Sequence, residues 1–93
     1  MFDRILRSLR ERIRQGQYVM SDHAEQEMDA DELTVYDLEH AVLMGQITRR
    51  QQDRDTGEWK YCIRGPTLND DRIEVVVKKG PTDKVVFLTV FRL

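Results

Sequence analysis

The spacing of apolar residues changes once along this chain, near residue 46, and that change constrains the fold more than any other feature. Before it, apolar side chains recur at helical spacing. Phe2, Ile5, Leu6, Leu9 and Ile13 make one stripe, as residues three and four apart do on an α-helix. Asp3 stands near the start and Gly16 ends it, which predicts a helix over 3–15. Tyr18-Val19-Met20 reads as a short extended link. Ser21 or Asp22 caps a second helix, with Asp22 and Glu25 at capping-box spacing and Ala24 and Met28 turned inward. Thr34 opens a third helix that runs to about Gly45 and buries Leu38, Ala41 and Val42.

After residue 46 the period falls to two. Ile47–Gln52 and Glu58–Arg64 flank the turn-rich Asp53-Arg54-Asp55-Thr56-Gly57 and read as a hairpin. Trp59, Tyr61 and Ile63 alternate there with Lys60, Cys62 and Arg64. Gly65-Pro66-Thr67 opens a loop, and Arg72–Lys79 is a third strand. Gly80-Pro81-Thr82-Asp83 turns the chain into Lys84–Arg92, which is apolar on both faces and therefore expected inside the sheet. Helices first and strands after predict an α+β fold: three N-terminal helices packed on a four-stranded antiparallel sheet.

At 93 residues the chain is expected to be a single domain, 1–93, with an N-terminal amphipathic helix in 1–20 and an α+β core in 21–93. Its one cysteine, Cys62, allows no internal disulfide and no cysteine zinc frame. No signal-peptide pattern and no long apolar stretch occurs, so the expectation is a cytoplasmic protein without a membrane partner.

The net charge of −2 says little, but its distribution is uneven. Residues 1–20 carry five arginines against Asp3 and Glu11. Residues 21–45 carry eight acids and no Lys or Arg, and 46–93 carry ten bases against seven acids. The arginines of the first helix are expected to pair with Glu25, Glu27 or Asp31, while its apolar stripe packs on the domain or on a second copy, giving a homodimer.

His23 is the first chemical candidate, because a helix N-terminus and an imidazole together suit acid–base work near neutral pH. His23 and Glu27 stand four apart, but two ligands make no metal site, so neither metal nor cofactor is expected. Ser21, Asp22 and His23 are sequence neighbours and cannot form a hydrolase relay. Lys60, Arg64, Lys78 and Arg92 are bases suited to phosphate oxygens.

The segment Ser21-Asp22-His23-Ala24-Glu25-Gln26-Glu27-Met28, then Leu33-Thr34, then Val86-Phe87-Leu88-Thr89-Val90-Phe91 resembles a bacterial family of small uncharacterised domains. Members open S-x-H-A-x-x-R-M-x-x-R-G-I-[ST] and end on a strand like I-T-V-Y; the family in turn resembles RelE- and BrnT-like ribonuclease toxins. The resemblance covers roughly residues 20–91. It implies a toxin-like fold, an antitoxin partner and RNA as substrate. It also implies metal-independent cleavage with His23 as general acid or base, Lys60 and Arg64 on phosphate, and Thr89 as hydrogen-bond donor. Glu27 and Asp31 replace the two arginines of the pattern, and Phe91 replaces its tyrosine. Two anions for two cations oppose RNA binding. The expectation is a toxin-like ribonuclease or an inactive relative; the alternative is a non-enzymatic interaction module whose acidic helices bind a basic partner.

Overall fold

The computed structural model describes residues 1–93. Its elements are α1 (Asp3–Arg14), β1 (Tyr18–Met20), α2 (Asp22–Ala30), α3 (Val35–Met44), β2 (Gln46–Gln52), β3 (Trp59–Pro66), β4 (Arg72–Lys79) and β5 (Val85–Arg92). The general class is the expected α+β, but the sheet is not four-stranded and antiparallel. It has five strands in the order β1-β5-β4-β3-β2, with β1 parallel to β5 and the other pairings antiparallel. The link at Tyr18–Met20 is thus a strand, too short for a two-residue period to show itself. β5 lies inside the sheet as its two apolar faces require.

Each helix end has a local cause. Past Gln15, Gly16 adopts φ +70°, its N–H donates to Ile13 O and the N–H of Gln17 donates to Arg12 O. This is the Schellman arrangement, and a left-handed residue there suits glycine. Ser21 caps α2 by accepting from Ala24 N at 3.0 Å, and its hydroxyl donates to Leu88 O at 3.2 Å. The expected Asp22–Glu25 box is not the one used. The capping box lies instead on α3, between Thr34 and Asp37.

α3 covers β3 and β4, α1 packs on α3 and β5, and α2 runs along β5 and β1. Leu6, Leu9 and Ile13 of α1 join Leu38, Ala41 and Val42 of α3 over Ile63, Val75, Val77, Phe87 and Val90. The amphipathic stripe is therefore buried within one chain. A second copy docking on α1 would meet its charged side. Two glycines bring α3 and the sheet together: a Cβ on Gly65 would lie 2.9 Å from both Cα and C of Ala41, and one on Gly45 would collide with the Ala41 and Arg64 carbonyl oxygens. Gly65, expected in a loop, belongs to β3 for this reason.

The arginines of α1 do not meet Glu25, Glu27 or Asp31. Arg10 donates from Nε to Val42 O at 3.0 Å and from Nη2 to Gly45 O at 2.7 Å, satisfying carbonyls at the C-terminus of α3 with a cation. Arg12 pairs with Asp83, and Arg14 lies 3.9 Å from Glu11. The packing of α1 on α3 and β5 turns its polar side toward the end of α3 and the β4–β5 turn, away from α2.

Asp37 ties the helical layer to the loop after β3. Its carboxylate accepts from Thr34 N at 2.9 Å and from Leu68 N at 3.1 Å. Burial alone would raise its pKa, but the N–H groups of Thr34 and Leu68, the Thr34 hydroxyl and Arg92 together hold it below the usual carboxylate value. A folded-state pKa below the unfolded one gives stability that is present above the unfolded value of about 3.9 and lost as pH falls through the folded one. Asp37→Ala should cost about 2 kcal/mol at neutral pH. Urea midpoints of the two proteins should converge on acidification; a constant gap would contradict this role.

Candidate functional site

A β-bulge determines what the last strand presents. Val76 pairs with Thr89 but Val77 pairs with Phe87, so Leu88 is the extra residue. Strict alternation would put Thr89 on the face of Phe87; the bulge buries Val90 instead and turns Thr89 to the face opposite α1 and α3. Thr89, Val76, Cys62 and Arg49 then form one cross-strand row on that face. Gln51, Lys60, Lys78 and Val86 form the next row, and Gln46, Arg64, Glu74 and Phe91 the row on the other side. Lys60, Arg64 and Thr89 thus share a face, with Thr89 two strands, or about 10 Å, from β3.

Four cations of this face are held by carboxylates. Arg64 Nε lies 3.0 Å from Glu74 Oε1, and Arg49 lies 3.8 Å from Glu74 Oε2. The Glu74 side chain is 2% exposed, so the two half-exposed guanidinium groups are its counter-charge. Lys60 Nζ is 3.2 Å from Asp53, and Lys78 Nζ is 3.2 Å from Glu58. Asp53 is held down to about 2, first by the N–H groups of Thr56 and Asp55 and then by Lys60. Cys62 is buried below Arg49 and Arg64. Burial pushes its thiol up despite the nearby arginines, which suits the inert cysteine that strand placement suggested.

His23 sits apart from these cations, on α2 against the edge of β5. β1 pairs only with the first half of β5, which leaves the backbone beyond Phe87 without a strand on that side. The helix supplies the missing partners. Ser21 N donates to Phe87 O at 2.9 Å, and Glu27 Oε1 accepts from Val90 N at 2.9 Å. The same Glu27 oxygen lies 3.2 Å from His23 Nε2, and the imidazole is 66% exposed. Arg92, the last residue of β5, donates to Asp31 O at 2.8 and 3.2 Å and reaches Asp71 at 3.0 Å.

Glu27 is the residue that sequence reasoning undervalued. In the sequence it stands as an anion where the family pattern has a cation. Here it joins the ring of His23 to the main chain next to Thr89. The carboxylate beside Nε2 holds the ring at this edge, and an imidazole so placed suits proton transfer. The i, i+4 spacing was the available signal; the bulge that frees Val90 N was not visible. No set of three or more His, Cys, Asp or Glu side chains gathers in a metal-binding cluster, and no helix is long and apolar enough to cross a membrane.

Nothing among curated proteins or solved structures matches the chain. A family model described as Domain of unknown function (DUF4258) matches residues 20–92, from the end of β1 to the end of β5, and leaves α1 outside. That span covers well over half of the chain and holds His23, Glu27, Lys60, Arg64 and Thr89. The chain is a member of the DUF4258 family.

Proposed function

We propose that this protein is a toxin-like domain directed at RNA, of the RelE/BrnT kind, whose proton-transfer group is His23 oriented by Glu27. The observation that carries the reading is the single Glu27 oxygen shared between His23 Nε2 and Val90 N. It ties an exposed imidazole to the main chain at Val90, the residue after Thr89, and His23 and Thr89 are two positions at which the sequence resemblance puts chemistry. In the reaction His23 takes the proton of a ribose 2′-hydroxyl, and the resulting oxygen attacks the adjacent phosphorus. The bond to the 5′ oxygen breaks, His23 returns the proton there, and a 2′,3′-cyclic phosphate and a 5′-hydroxyl end remain. Lys60 and Arg64, two strands away on β3, take phosphates of flanking nucleotides along the open face of the sheet, each released from its carboxylate when RNA approaches. Exchanging an ion pair for a phosphate contact gains less than meeting the phosphate with a free cation, so modest turnover is expected.

The expected outcome in cells is growth arrest on induced expression, abolished by His23→Ala and relieved by a cognate antitoxin. Equal arrest by parent and His23→Ala would remove His23 from the mechanism.

A second reading is favoured by a different observation. The α1 arginines engage α3 carbonyls, Asp83 and Glu11, so Asp22, Glu25, Asp29 and Glu32 remain exposed without cationic partners. Such a surface suits a basic protein. In that reading the domain binds a partner through α2 without cleaving RNA, and charge reversal at Glu25 and Asp29 abolishes binding while His23→Ala does not.

A further inference from the structure

A cleft of about 490 Å³ opens between the start of α1 and the ends of the central strands, on the helical side of the sheet. Arg50 of β2 and Tyr61 of β3 are direct cross-strand partners there, and Lys79 of β4 follows Val75 and Val77 on the same face. Phe2, Arg4 and Ile5 of α1 close the other side. No carboxylate lines the cleft, and Arg4, Arg50 and Lys79 have no ion-pair partner anywhere in the chain. This sets it apart from the open face of the sheet, where Arg49, Lys60, Arg64 and Lys78 each meet an acid. The Arg50 guanidinium carbon lies 4.1 Å from the centre of the Trp59 ring, so the planar cation is stacked before any ligand arrives.

Three uncompensated cations in a concavity call for an anion, and the size falls within the usual range for small-molecule sites. Apart from Ser8 the remaining lining is aromatic and aliphatic, which asks for a flat apolar part on the same ligand. We infer that this cleft binds a nucleotide, its phosphate between Arg4, Arg50 and Lys79 and its base against Tyr61 and Phe2. The nucleotide is either free or one unit of a single-stranded RNA; both present the same phosphate and π-face. The site goes beyond the His23 chemistry and stands whether or not the chain cleaves RNA.

Trp59 is the one tryptophan of the chain and reports on Arg50 directly. Calorimetry and Trp59 fluorescence on the full chain, with uridine monophosphate, a short oligouridylate, uridine and inorganic phosphate, test the inference. The nucleotide and the oligomer should bind saturably and shift the emission, with uridine and inorganic phosphate at least about tenfold weaker. Arg50→Gln and Lys79→Gln should each weaken nucleotide binding about tenfold with the circular dichroism spectrum unchanged, while His23→Ala leaves it intact. An oligomer bound more tightly than the monomer, with a steeper salt dependence, identifies RNA as the source; equal affinities identify the free nucleotide. Absence of binding, inorganic phosphate binding as tightly as the nucleotide, or undiminished binding in R50Q/K79Q would overturn the inference.

Discussion

Deleting residues 1–15 is expected to leave a chain that does not fold cooperatively, although the family match begins only at residue 20. Leu6, Leu9 and Ile13 are at most 5% exposed and contact the same core as Leu38, Val42 and Phe87. Burying three such side chains contributes about 6 kcal/mol, at about 2 kcal/mol each. Net stability of a small domain is about 5–15 kcal/mol, so the loss takes a large share of it. The truncation also uncovers the apolar faces of α3 and β5 and strips the Arg10 hydrogen bonds from the end of α3. Leu9→Ala alone should cost about 3 kcal/mol, since Leu9 is fully buried. Leu9→Asp should abolish the melt by placing a carboxylate where no partner exists. A truncated protein with an unchanged melting temperature would show that α1 is an accessory arm rather than part of the core.

The second large effect is expected at Gly65. Its absent side chain lets the backbone of α3 rest on β3 at Ala41. Close-packed side chains can rotate away from an added methyl group, but here the obstacle is main chain on both sides. Either α3 lifts from the sheet or β3 bends. Overpacking of ordinary cores costs about 1–3 kcal/mol, and backbone obstruction puts Gly65→Ala at about 3 kcal/mol or more. Gly45→Ala meets the Ala41 and Arg64 carbonyl oxygens and should behave alike. Gly57→Ala is the control: nothing lies within 4 Å of its Cβ position, and only φ +75° opposes it, at about 1 kcal/mol. Thermal melts of the three variants should rank Gly57→Ala well above the other two; a Gly65→Ala protein as stable as the parent would contradict the close approach of α3.

The helical half was legible because its signals are local. The α1 stripe, Gly16 and the Thr34 start each depend on residues within one or two turns, and the structure keeps them. The strands were legible as a set for the same reason, since alternation needs no knowledge of neighbours. What failed was long-range. β1 exists because β5 offers it an edge, and three residues carry no period of their own. The bulge at Leu88 depends on the β4 register and reverses which residues of β5 point inward. Arg10 binds main-chain carbonyls of α3, which no charge count detects, and so the expected pairing with Glu25, Glu27 or Asp31 did not form. At the candidate site the positions of His23 and Thr89 could be named from the sequence. The use of Glu27 could not, because its partner is a backbone N–H freed by the bulge. The cleft around Arg50 joins residues from α1, β2, β3 and β4, whose association only the fold creates.

The central claim is that His23, held by Glu27, moves a proton during RNA cleavage without a metal. The most direct measurement is the cleavage of a defined single-stranded RNA by the purified chain in the presence of a chelator, with the product ends identified. The account predicts 2′,3′-cyclic phosphate and 5′-hydroxyl ends, a rate lowered about 10²–10⁴-fold by His23→Ala, and a smaller loss with Glu27→Gln, which keeps a polar side chain of the same size beside the ring. His23→Ala should melt like the parent, since the ring is largely exposed. No cleavage by the folded parent, or cleavage that His23→Ala leaves unchanged, would contradict it.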